Sequence, residues 1–123
     1  MFVKIPINIF PSIVAFSFNQ TDEEVIDELS TMNKELTEND LNSIKMNLGV
    51  EGRCVDFGNG IILIRMRVVP TTLSDYRCLQ HEIMHAVIFI CNRIEVPLLI
   101  DVTDEVYSHL VGFLTYEIYN HLD

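Results

Sequence analysis

The stretch from Thr72 to about Arg93 constrains this chain more than any other, because apolar residues recur along it at helical spacing and no glycine or proline interrupts it. It predicts a long helix, entered after Pro70 with Thr72 or Ser74 as the cap. Ile83, Met84, Ala86, Val87, Ile90 and Cys91 turn most of its circumference toward a core. Within it lies His81-Glu82-Ile83-Met84-His85. Two histidines four residues apart stand about 40° apart around a helix, so both imidazoles can reach one ion at about 2.0–2.1 Å. Glu82 falls on the adjoining side, where it can take a proton from a water held at that ion. On so apolar a helix the histidines are expected to be partly buried and to need partners.

The rest of the chain must cover that helix. Phe2 to Phe18 is rich in Val, Ile and Phe and is broken by Pro6 and Pro11, which predicts one or two short strands, Ile13 to Phe18 foremost. Thr21 and the acidic run Asp22 to Glu24 open a helix ending near Met32. Thr37 caps a second, in which Leu41, Ile44 and Leu48 recur and Gly49 is the stop. A hairpin follows: Cys54 to Phe57, a Gly58-Asn59-Gly60 turn, then Ile61 to Val69, where Arg65 and Arg67 alternate with apolar residues as if one strand face were polar. After Pro97, Asp101 or Thr103 caps a last helix that runs to about His121. These elements make an α+β fold, residues 1–123 forming one domain with a small, mainly antiparallel sheet packed on the central helix and a single core.

Charge narrows the partners. Eighteen acidic residues against eight basic ones give a net charge of −10, a surface that repels phosphate backbones, so nucleic acid is not an expected ligand. Basic substrates or partners suit it better. Cys54, Cys78 and Cys91 follow no paired spacing, which predicts a reducing compartment, the cytoplasm. The apolar amino end is too short and too broken to span a bilayer, so no membrane is expected.

A catalytic zinc commonly takes three protein ligands and keeps one position for water. The last helix offers the third. Glu105 in its first turn is the expected metal ligand, with Asp101 and Asp104 as fallback carboxylates. His109, one turn beyond Glu105, is an alternative ligand, a hydrogen-bond partner of a ligand or the donor to an oxyanion, with Tyr107 the weaker donor because it points elsewhere around the helix. Cys78, one turn before His81, is a structural thiol or a stray ligand. His121 reads as a solvated terminal residue. Tyr107, Phe113, Tyr116 and Tyr119 supply the core or the contact of a homodimer.

An HExxH helix followed by a helix bearing a glutamate resembles the gluzincin branch of the zincin metallopeptidases, above all its small single-domain members. His81-Glu82-Ile83-Met84-His85-Ala86, then Asp104-Glu105 and Leu110-Val111-Gly112-Phe113-Leu114, is also similar to small HExxH proteins encoded by bacteriophages, which would place the chain in a host cytoplasm. The resemblance spans roughly Thr71 to Leu122 and the hairpin before it. It implies a zincin-like fold, zinc, peptide hydrolysis, and an edge strand that holds the substrate extended. His109 stands where many gluzincins have an aspartate.

The expected activity is therefore zinc-dependent peptide-bond hydrolysis with Glu82 as general base. The Ile61 to Val69 strand would pair with a peptide or protein substrate; Arg65 and Arg67 read first as a solvated strand face and second as readers of acidic side chains. The alternative is a catalytically silent protein of the same fold, acting as a phage structural, assembly or host-inhibiting module.

Overall fold

In the computed structural model, residues 1–7, 12–32, 35–47 and 49–123 are described. They form β1 (Phe2–Ile7), β2 (Ser12–Phe18), α1 (Asp22–Ser30), α2 (Glu38–Ile44), β3 (Gly52–Asp56), β4 (Ile61–Met66), α3 (Leu73–Arg93) and α4 (Asp104–Leu122). Pro11 and Leu48, which marked a strand break and a helix position in the sequence, lie outside the described residues. The fold is α+β, as the sequence predicts, with a mixed four-stranded sheet in the order β1-β2-β4-β3.

Alternation places Val3, Ile5 and Ile7 of β1 inward and leaves Lys4 and Pro6 exposed. Proline lacks an N–H, so β1 suits a sheet edge. It pairs antiparallel with β2, and β3 pairs antiparallel with β4 across the glycine turn, where Gly58 and Gly60 take φ of 79° and 93°. The central pair, β2 with β4, is parallel, from Ile13↔Ile61 to Phe18↔Met66. The expectation of a mainly antiparallel sheet thus needs a correction at its centre. The chain between these two strands crosses over through α1, α2 and β3, and it enters β4 from the same end as β2.

Helices cover both faces, so there are two cores and not one. Val14, Phe16, Phe18, Ile62 and Ile64 meet α3 and α4 through Leu79, Ile83, Ile90, Leu114 and Ile118. On the other face Ala15, Ile61 and Leu63 meet Val25, Leu29 and Ile44 of α1 and α2. Burying a leucine or isoleucine fully is worth about 1.5–3 kcal/mol, so each layer is held mainly by this stripe.

This second layer overturns the reading of β4 as a strand with one polar face, since all six of its residues are buried. Arg65 is only 5 % exposed. Its guanidinium donates to the Asp22 carboxylate and to the carbonyls of Ile44 and Gln20, both at 2.8 Å. Arg67, just past the strand, donates to the Val50 and Asn47 carbonyls at 2.8 and 2.7 Å. Both arginines bind backbone, so neither is placed to read a substrate. The α2 helix also ends earlier than expected, at Ile44. Gly49, with φ 86°, serves the turn into β3 and does not stop the helix.

Thr21, Thr37 and Thr72 each cap a helix, and Glu24, Asp40 and Asp75 complete the reciprocal bonds. The Asp75 carboxylate accepts from the backbone N–H of Thr71 and Thr72, both at 3.1 Å, and these bonds hold its pKa below the ordinary aspartate value. A lowered folded-state pKa means the stabilisation is complete above the unfolded value of about 3.9 and fades as pH falls through the folded one. Titrated by NMR, the Thr71 and Thr72 amides should report the loss of this cap only below pH ~4. The Asp75→Asn variant should show no such transition.

Among the described residues no helix is long and apolar enough to cross a membrane.

Candidate metal centre

Three faces of α3 are assigned by what packs on them. Leu79, Ile83, Ala86 and Ile90 turn to the sheet. Gln80 turns to α4, where its amide donates to the Thr115 and Tyr119 hydroxyls at 3.1 and 2.9 Å. His81 and His85 take the remaining face and are exposed. This corrects the expectation that they are partly buried: neither the sheet nor α4 covers that side of the helix.

The two Nε2 atoms point at each other, 3.0 Å apart, with ring planes at 78°. Two nitrogens at about 2.0–2.1 Å from a tetrahedral ion lie ~3.3–3.4 Å apart. The pair has to open by only a few tenths of an ångström to bracket a zinc ion. Two neutral imidazoles are also the right donors for it, so the pair fits the metal that the motif implies.

Glu82 is buried, at 7 % exposure, beneath the hairpin. What allows this is Gly52 at the start of β3. A Cβ there would come to 2.9 Å from Met66 Sδ and 3.1 Å from both Cys78 Sγ and Glu82 Cγ. The glycine lets β3 lie directly on the glutamate. Burial raises the Glu82 carboxyl above the ordinary glutamate range, and His85, His81 and Arg53 partly draw it back. Arg53 and Gly52 are site residues that the motif does not mark. Gly52 carried a signal all the same, as a glycine opening a strand whose neighbours are large.

Burial also pushes up the Cys78 and Cys54 thiols, and the Glu82 carboxylate adds to it. Cys78 is half-buried beside Gly52. It lines, with His81, Glu51, Met66, Val68 and Arg77, a cleft of about 660 Å³ running from the histidine pair toward the start of α3.

The expected third ligand stands apart. Glu105 and His109 are exposed on the outer side of α4, with Oε2 and Nε2 3.6 Å from each other. Asp104 is half-buried in a smaller cavity beside Met84, and Asp101 is exposed in a left-handed turn with φ 63°. Among the described residues no group of three His, Cys, Asp or Glu is close enough to hold a metal. The structure brings together His81, His85 and Glu82; it does not bring Glu105 or His109 to them. Tyr107 cannot serve as an oxyanion donor, because its buried hydroxyl donates to the Val96 carbonyl at 2.6 Å. His121 lies exposed near the carboxy terminus, as expected.

The strand expected to receive a substrate also changes. Ile61 to Met66 is paired on both sides, by β2 and β3, and has no free edge. The edge strand on this side is β3, the strand that lies on Glu82.

No family model, curated protein or solved structure matches the chain. What the centre can do follows from its own geometry.

Gly52 gives a direct test of that geometry. Gly52→Val should destabilise the fold by about 1–3 kcal/mol through overpacking and move β3 off Glu82. Urea denaturation measures the first effect. A Glu82 carboxyl pKa shifted back toward the ordinary range, read by NMR, measures the second.

Proposed function

We propose that His81 and His85 hold one zinc ion, with Glu105 as the third protein ligand, and that Glu82 is the general base of peptide-bond hydrolysis. The observation that carries this reading is the convergence of the two Nε2 atoms at 3.0 Å beside a buried carboxylate of raised pKa. Zinc, when bound there, supplies Lewis acidity toward water and a carbonyl. Glu82 accepts the proton of the attacking water and returns it to the leaving amine, and its raised pKa suits both halves of that transfer.

Glu105 joins the site by a shift of the first turn of α4. That shift would release the Thr103 hydroxyl, which does not cap the helix but donates to the Pro97 carbonyl and accepts from the Leu99 N–H. His109, on the same face of α4, would move with it and donate to the developing oxyanion. The open edge of β3 offers main-chain pairing to an extended peptide, and the 660 Å³ cleft takes one of its side chains.

Elemental analysis of the purified protein tests the metal. Native chain should carry about one zinc, and His81→Ala and Glu105→Ala should lose at least tenfold in zinc affinity. Unchanged affinity in His81→Ala would sink the site; unchanged affinity in Glu105→Ala alone would remove only that ligand. The separation of Glu105 from the histidines favours one other reading, a protein of this fold that acts through contacts alone. Native chain that takes up no zinc from a zinc-buffered solution would establish that alternative over the enzyme.

A further inference from the structure

The end of the molecule formed by the α3–α4 loop and α4 combines two features that ordinary surfaces keep apart. Of the nine large hydrophobic residues exposed among the described residues, six lie here: Leu98, Leu99, Ile100, Val102, Phe113 and Tyr116. Ile100 and Val102 are 82 % and 72 % exposed, on a loop whose backbone turns sharply at Asp101. Beside the loop a cavity of about 390 Å³ opens between Met84, Leu98, Asp104, Tyr107, Val111 and Gly112. A Cβ added at Gly112 would touch nothing within 4 Å, so space lies open over the middle of α4. That glycine costs the helix about 1 kcal/mol relative to alanine, and packing within the chain gives no return for it.

The chain that follows Arg93 carries one sign of charge. From Ile94 to the carboxy terminus the sequence has Glu95, Asp101, Asp104, Glu105, Glu117 and Asp123 and no lysine or arginine. An apolar patch ringed by carboxylates has a definite complement. A second copy of the chain would set like charges face to face, and anionic lipid or nucleic acid would be repelled. A segment that presents apolar side chains with lysines or arginines around them satisfies both features.

We propose that this surface docks a cationic amphipathic segment of a partner protein, one of its apolar side chains filling the cavity beside Leu98 and Gly112 and its basic residues meeting Asp101 and Asp104. The cavity lies apart from the histidine pair, and the full chain is tested without added metal. The probe is a fluorescent eighteen-residue Leu/Lys amphipathic helix, with a Leu/Glu version as its control, followed by anisotropy.

Native chain should bind the lysine peptide, more weakly as salt rises, and ignore the glutamate peptide. The pair Ile100→Ser and Val102→Ser should weaken binding at least tenfold, as should the pair Asp101→Asn and Asp104→Asn. The pair Glu23→Gln and Asp27→Asn, exposed on α1, should leave it unchanged. All of these positions but the half-buried Asp104 are exposed, and unchanged far-UV melting curves will show that the variants still fold.

Equal loss in the α1 variant would mean diffuse attraction to an acidic protein and would overturn the proposal. So would absence of binding. A concentration-dependent dimer in sedimentation that Ile100→Ser abolishes would make the occupant a second copy. Co-flotation with phosphatidylcholine vesicles that the same change abolishes would make it lipid. Either result would replace the proposed partner.

Discussion

Glu82→Gln is expected to lower peptide hydrolysis by about 10²–10⁴-fold while zinc content and fold stability stay at their native level. The amide has the shape of the acid but cannot accept the water's proton. Its stability should hold because burial already disfavours the charged carboxylate, as the raised pKa records, and a neutral isostere avoids that cost. The drop should appear in kcat and in kcat/KM alike, since the proton transfer belongs to the transition state. A general peptide library read by mass spectrometry supplies the substrates. A variant that cleaves as fast as the native chain would remove Glu82 from the chemistry, whatever the zinc content.

The largest loss of stability away from the apolar cores is expected at Arg65. Arg65→Ala should cost about 2–4 kcal/mol in urea denaturation, because it leaves the buried carbonyl of Ile44, the part-buried carbonyl of Gln20 and the part-exposed Asp22 carboxylate without their shared donor. These acceptors come from the loop before α1, from α1 itself and from the end of α2. One guanidinium therefore ties the whole helical layer to the central strand. Arg65→Lys should recover part of the loss, since an ammonium keeps the charge but not the planar fork that serves three acceptors. Arg67→Ala, at an exposed position, should cost less than about 1 kcal/mol. A loss that small at Arg65 would mean that the layer is held by Val25, Leu29 and Ile44 alone.

What the sequence made legible was whatever is local. Thr21, Thr37 and Thr72, each followed three residues on by an acid, mark real helix starts. The Gly58-Asn59-Gly60 turn marks a real hairpin, and the His81-Glu82-His85 spacing places two rings and a carboxylate on neighbouring faces of one helix. What it hid depends on partners distant in the chain. Alternation along β4 predicts two faces, but not that α1 and α2 would cover the second, and so Arg65 read as solvated. Hydrophobic residues around α3 suggested buried histidines, because periodicity does not tell where the covering of a helix stops. The approach of α4 to α3 depends on how each helix is rotated about its own axis. Spacing within α4 put Glu105 and His109 side by side correctly and said nothing of their distance from His81. Gly52 has meaning only once Met66, Cys78 and Glu82 are known to surround it.

The parallel pairing of β2 with β4 has a consequence for how the chain reaches this state. The hairpin, α3 and the three capped helix starts can form from neighbours in sequence. The centre of the sheet cannot, since Phe16 meets Ile64 only after a loop of roughly fifty residues has been closed, against its entropy. From contact order that closure is expected to be slower than formation of the helices and the hairpin. Until it is complete, Val14 and Phe16 on one side and Ile62 and Ile64 on the other are uncovered strands rich in β-branched and aromatic residues. The seam that ends as the driest part of the protein is, during synthesis, the part most prone to pair with another chain.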